Sequence, residues 1–140
     1  MTHIRRAHPE DTPQLEKLFQ LTCQRTFATR PATDFQIGDY AKSTTGEDVW
    51  VAEENDQILG FVSIYPANNF VHNLFIHPDS QRIGLGTHLL HMAEMNLGHP
   101  MTLKIAMDNL TACSFYEKHG WVRISVHEDG NEPYVLYRKN

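Results

Sequence analysis

The chain predicts a single α/β domain: one mixed β-sheet with helices on both faces, in the order β-α-α-β-β-β-α-β-α-β-β. Three observations carry that prediction. Apolar residues recur at helical spacing in some stretches and gather in short strand-like runs in others. Turn residues such as Asn55-Asp56, Gly98 to Pro100 and Asp129 to Asn131 fall between them. A glycine pair, Gly84 and Gly86, sits directly between a strand-like run and a helical one.

The elements follow in order. Ile4 to Ala7 reads as a short first strand. Asp11 is placed to cap a helix, with Pro13 in its first turn and Gln14 able to reach back. Leu15, Leu18, Phe19 and Thr22 continue that helix to about Thr26. Pro31 interrupts, and a shorter helix is expected from Asp34 to Lys42. Val49 to Glu53 and Gln57 to Tyr65 read as two strands joined at Asn55-Asp56, a natural hairpin turn. Val71 to Ile76 is a further strand, stopped by Pro78. The helix after the glycines places Leu85, Leu89, Met92, Ala93 and Leu97 on one face and His88, His91, Glu94 and Met95 on the other. Gly98 and Pro100 end it. Met101 to Ala106 is a strand, Asn109 to His119 a helix stopped by Gly120, and Trp121 to His127 and Pro133 to Tyr137 the last two strands.

Composition narrows the function. The 140 residues carry a net charge of −5 and no Lys/Arg run, which argues against nucleic acid as a partner. No apolar stretch reaches the roughly 18 residues of a membrane span, and Met1 to Arg5 lacks a signal-peptide core. Two distant cysteines, Cys23 and Cys113, do not form a disulfide framework, so a cytoplasmic location is expected.

Gln81-Arg82-Ile83-Gly84-Leu85-Gly86 has the make-up of an anion clamp. Glycines let the backbone turn tightly and approach a ligand, and the following helix aims its free N–H groups at the same spot. A dinucleotide fingerprint would need a third glycine where Leu89 stands, and a P-loop would need Gly-Lys-Ser/Thr where Gly86-Thr87-His88 stands. The pattern therefore favours the pyrophosphate of coenzyme A over NAD or ATP.

Two motifs carry a resemblance. Gln81, Gly84 and Gly86 fill Q/R-x-x-G-x-G/A, and Asn109 to Trp121 fills N-x-x-A-x-x-F-Y-x-x-x-G-F/W. At this spacing and in this order the chain resembles the GNAT superfamily of acyl-CoA N-acyltransferases, with one N-acetyltransferase domain over residues 1–140. Ile83, where the family often has a small or polar residue, and Trp121, for the commoner Phe, are mild departures.

The resemblance implies an enzyme that moves an acetyl group from acetyl-CoA, a cosubstrate, to a primary amine on a small molecule or a protein. The transfer is direct, in a ternary complex, with no metal and no covalent enzyme intermediate. It implies that backbone groups of Gln81, Arg82, Ile83, Gly84, Leu85, Gly86 and Thr87 hold the pyrophosphate. The strand Leu74-Phe75-Ile76 splays from its neighbour and offers N–H groups to the pantetheine arm and the thioester carbonyl. Tyr116 is the acid that protonates the departing thiolate; a phenol is protonated at neutral pH.

His72 is a candidate base, with Glu53 and Glu54 behind it. Asn109 caps its helix or bonds the coenzyme arm as well, and Ser114 and Lys118 either reach the phosphates or stand in solvent. A non-catalytic acyl-CoA-binding regulator is the alternative on the same fold, and a monomer or a homodimer is compatible with it. His88, His91 and Glu94 invite a zinc reading, but His88 and Glu94 lie too far apart around the helix, and a solvated face is expected.

Overall fold

The computed structural model describes residues 2–80, 84–130 and 132–140. Their strands form one seven-stranded sheet in the order β1-β2-β3-β4-β5-β7-β6. The strands are β1 His3–Arg6, β2 Asp48–Glu54, β3 Gln57–Tyr65, β4 Phe70–Ile76, β5 Met101–Ala106, β6 Val122–His127 and β7 Tyr134–Lys139. The helices are α1 Thr12–Thr26, α2 Asp39–Ser43, α3 Leu85–Met95 and α4 Leu110–Lys118. The element order is the one the sequence predicts. No described helix is long and apolar enough to cross a membrane.

Both faces of the sheet are covered, and the period-2 alternation of a strand explains how. On β2, Val49 and Val51 face α1 and α2, whereas Trp50 and Ala52 face α3 and α4. The first layer is aromatic: Phe19 stacks on Phe75 at 4.8 Å between ring centroids, and Phe61 lies 5.2 Å from Phe75. The second is aliphatic, with Leu85, Leu89, Leu90 and Ala93 of α3 on Val62, Ile64 and Val71. Leu90, missing from the predicted helix face, is as buried as its neighbours because α3 is also covered from the side.

Position 60 has no room for a side chain. A Cβ there would lie 2.8 Å from the carbonyl oxygen of Phe75 and 3.2 Å from Leu89 Cδ1. Glycine lets β3, β4 and α3 meet at one point.

Two local expectations change. The helix expected over 34–42 is a 3₁₀ turn at Ala32–Asp34 followed by α2 alone, because Gly38 has φ +108°, which no helix passes through. The Asp11–Gln14 cap is not made either. The Asp11 carboxylate accepts two bonds from Arg5, at 2.8 and 3.0 Å, and one from the His8 N–H at 2.7 Å. The Arg5 guanidinium holds that carboxyl below its ordinary range. Gln14 accepts from the Ile58 N–H at 3.0 Å instead. By contrast, Asn55 and Asp56, both at positive φ, turn the β2–β3 hairpin as expected.

Glu16, a buried residue of α1, places α2. Its carboxylate accepts the N–H groups of Gly38 at 2.8 Å and of Tyr40 and Ala41 at 3.0 Å. A five-residue helix has almost no intrinsic stability, so this borrowed cap holds it. Three bonds to a charged acceptor are worth more than a typical neutral bond. Glu16→Ala should therefore lower the melting temperature by roughly 5–9 °C. Glu16→Gln, whose amide oxygen still accepts, should recover part of the loss in the same thermal scan.

Candidate active site

β4 and β5 are parallel and pair only at Phe70↔Thr102 and Val71↔Leu103. Beyond that point they separate. The antiparallel β3–β4 ladder fixes what the gap presents. The His77 N–H bonds the Leu59 carbonyl at 2.7 Å, so in this register the main-chain groups of Leu74 turn away from β3 and toward the gap. A β-bulge at His72, which has no partner on β3, adds twist to β4 just before the gap opens.

A cleft of about 750 Å³ lies at the gap, between the starts of α3 and α4 and the end of α1. Leu74, Ile76, Gly84, Gly86, Thr87, Asn109 and Tyr116 line it, so the two sequence motifs do converge. Gly84 stands before α3 with φ +76°, and a Cβ at Gly86 would touch the Phe115 ring at 3.4 Å. The α3 backbone thus runs close against α4. Asn109 caps α4, its Oδ1 accepting the Ala112 N–H at 3.2 Å, and it lines the cleft as well.

Other residues of the expected coenzyme site fall differently. Gln81, Arg82 and Ile83 lie outside the described residues. The Leu85 side chain is core. Phe75 sends its ring to the opposite face, against Phe19, and serves the gap only as the link between Leu74 and Ile76. Ser114 and Lys118 are exposed and do not line the cleft.

Tyr116 is buried, held edge-to-face by Phe115 at 5.2 Å and by Trp121 at 6.0 Å. Its hydroxyl has no hydrogen-bonding partner among the described residues. Burial penalises the phenolate and pushes the phenol's pKa up, so the proton is held throughout the neutral range. A second unused polar group lines the cleft: Thr22 Oγ1 is buried with no partner. Thr22 sits in the apolar stripe of α1, and a polar residue in that stripe is the signal that could have marked it. Arg25, one turn on, also lines the cleft and is exposed.

A second cleft, of about 940 Å³, opens on the α1/α2 side. Phe19, Phe27, Phe35 and Tyr134 supply aromatic wall, and Asp34, Asp39, Asp108, Glu128 and Glu132 outnumber Arg30, Lys42 and Lys104. Asp108 lines both clefts, so they adjoin at the end of β5. Lys104 and Asp108 were not anticipated; a strand residue pointing into a gap has no sequence mark until the gap is known. Cys23 is in this wall, and burial pushes its thiol up to about 11, which keeps it a poor nucleophile.

His72 lines neither cleft. Its Nδ1 lies 2.7 Å from Oε2 of Glu47, a carboxylate whose other oxygen is buried without a partner. Glu53, a lesser candidate base, is engaged by Arg5 at the far edge of the sheet. Glu94 bonds Lys139 Nζ at 2.7 Å on the helix face it shares with His88 and His91.

Residues 45–123 match the family model described as Acetyltransferase (GNAT) domain. The chain belongs to the GNAT acetyltransferase family. It is an acyltransferase. This GNAT chain is 35% identical over 72 residues to peptidyl-lysine N-acetyltransferase YiaC of Escherichia coli (strain K12), a match covering 51% of this chain and 48% of that protein. The matched part thus spans about half the length of that relative. It is 28% identical over 135 residues to the uncharacterized N-acetyltransferase YhfO of Bacillus subtilis (strain 168), covering 85% and 89%. In fold it is similar to apo YjaB from Escherichia coli, with a TM-score of 0.81 at 23% identity over 99% of this chain and 97% of that one. It is also similar to the PaiA N-acetyltransferase from Thermoplasma acidophilum in complex with coenzyme A, with a TM-score of 0.78 at 18% identity over 100% and 99%.

Gly84 gives the direct test of whether this cleft holds the coenzyme. Its Cβ position is open, so a substitution costs the left-handed φ, about 1–2 kcal/mol, rather than a clash. Gly84→Asp adds a negative charge to the start of α3 and should weaken acetyl-CoA binding at least tenfold by calorimetry, with Gly84→Asn affected less.

Proposed function

We propose that this chain transfers an acetyl group from acetyl-CoA to a primary amine by direct attack within a ternary complex. The observation that carries the proposal is the pair of clefts that adjoin where β4 and β5 separate. Two substrates, one in each cleft, meet there without exchanging places.

The residues of the coenzyme-side cleft suit acetyl-CoA. The left-handed Gly84 and the side-chain-free Gly86 let the chain approach a pyrophosphate, and the α3 N-terminus supplies N–H groups. Thr22 Oγ1 and the Leu74 main chain are polar groups beside Ile76 and Phe115 in this cleft, which suits an amide-bearing arm. Bound there, acetyl-CoA supplies the thioester that the amine attacks. The Leu74 N–H is aimed to stabilise charge on the carbonyl oxygen. Tyr116, protonated and desolvated, donates to the departing sulfur. Gln81, Arg82 and Ile83 complete the pyrophosphate clamp on the family pattern.

The acceptor-side cleft carries five carboxylates and three cations, which favours a cationic amine. That amine must lose a proton before it attacks. We assign this to His72 through water: with Nδ1–H donated to Glu47, its Nε2 is left as the acceptor.

Tyr116→Phe should lower turnover roughly a hundredfold while acetyl-CoA affinity stays near normal. His72→Gln should remove the acidic limb of the kcat/KM profile, and an unchanged profile would take His72 out of the mechanism. The donor is tested first by thermal stabilisation with acetyl-CoA against NAD and ATP. At about a hundred times Kd the ligand adds roughly 2.7 kcal/mol, a shift of several degrees. A shift with acetyl-CoA alone supports the reading and opens a screen of amines by free-thiol release. No shift with acetyl-CoA or with coenzyme A overturns it.

A further inference from the structure

His119 ends α4 and reaches across to the first turn of α3. Its Nδ1 lies 2.7 Å from the Phe115 carbonyl oxygen, and its Nε2 lies 3.1 Å from Thr87 Oγ1. The ring lies against Phe115, tilted by 36° with 4.3 Å between centroids, and these three contacts together restrain its plane. A carbonyl oxygen only accepts, and therefore Nδ1 carries a proton in every state of the ring. In the neutral imidazole Nε2 is then an acceptor, and the Thr87 hydroxyl must give it its proton. Thr87 faces the coenzyme cleft in that state with lone pairs alone. A phosphate oxygen has nothing to accept from it.

Protonation of His119 reverses the bond. Nε2–H donates to Thr87 Oγ1, and the hydroxyl proton turns free toward the cleft. A cation then also stands one residue behind the phosphate site. We propose that His119 is a positioning residue for the coenzyme's phosphates, setting through Thr87 whether the clamp offers a hydroxyl donor, so that binding takes up a proton at His119. The inference rests on the coenzyme reading of this cleft.

The sign is fixed by the geometry. Binding favours the protonated ring, so His119 strengthens binding as pH falls. The charged and titratable groups around it come from three elements. Lys118 is next to it on α4, and His88 stands beside Thr87 on α3. Lys139 of β7 approaches Gly120 and is bonded to Glu94 of α3 at 2.7 Å. Lys118 and Lys139 oppose a charge at His119, and Glu94 offsets part of the second; a phosphate dianion adds to the favourable side.

The experiment is calorimetric titration with coenzyme A near pH 6.5, in buffers of different ionisation enthalpy, on the wild type, His119→Gln and Thr87→Val. The apparent enthalpy then gives the protons exchanged on binding. The ligand's own titration is common to all three proteins, so the difference belongs to the protein. Wild type should take up a measurable fraction of a proton more than either variant.

His119→Gln, whose amide N–H donates to Thr87 at every pH, should keep its affinity to within a few fold and lose the His119 share of its pH dependence. Thr87→Val should bind roughly tenfold more weakly. Equal uptake in all three proteins overturns the inference and leaves the coenzyme site standing. No binding of coenzyme A by the wild type overturns both.

Discussion

A β-sheet is held by the ladder bonds between its strands, and an interior strand that leaves those bonds unmade must have something else to offer them to. β4 and β5 make two residue pairs and then separate, in the middle of a sheet whose β5–β7 ladder on the other side runs for six. The rest of the architecture follows from that separation. α3, α4 and the end of α1 surround one cleft at the opening, and α1 and α2 wall the other, so the opening becomes two clefts rather than a hole. The bulge at His72 lets β4 diverge while the bonds to β3 remain intact. The unbroken ladder to β3 beyond that bulge is what gives the Leu74 main chain a fixed direction toward the opening.

Two kinds of constraint set the chemistry available on either side. On the α3/α4 side the determining factor is desolvation. Tyr116 is enclosed by Phe115 and Trp121, and the same ring of Phe115 supports His119 and limits Gly86. One aromatic side chain therefore ties Tyr116, the glycine turn and His119 into a single packed unit. On the α1/α2 side the determining factor is charge. Carboxylates surround an aromatic wall, and Arg30 spans from Asp34, at 3.3 Å, to Glu132 on the approach to β7, at 3.4 Å. Such exposed pairs add little stability, but they hold two sides of the cleft mouth in register.

Much of this was legible in the residues. The element order, the glycine turn before α3 and the cap at Asn109 follow from local signals, while the convergence of both motifs on one cleft was implied by the family resemblance. What was not legible depends on contacts distant in sequence. Asp11 has the residues of a helix cap but is taken by Arg5, because a salt bridge to an approaching strand competes with the local bond. The length of α2 is set by Gly38 and by Glu16 from another helix. Lys104 and Asp108 lie where they do only because β5 diverges from β4, and a strand's divergence leaves no pattern in its own sequence. Thr22 was placed on the buried face of α1 correctly, but its role as an unpaired group in the cleft needed the cleft.

Gly60 has a consequence for how such a chain can change over generations. It touches no proposed ligand, yet any side chain there would push on the Phe75 carbonyl and on Leu89, moving β4 and α3 together. Those two elements supply part of the lining of the cleft proposed for the coenzyme. Residues that line a cleft can drift one at a time, each trading one contact for another. A position with no side chain has no such intermediate steps, since even alanine is too large. The width of the cleft thus depends on a residue outside it, whereas the wall on the α1/α2 side is built of side chains that can be exchanged.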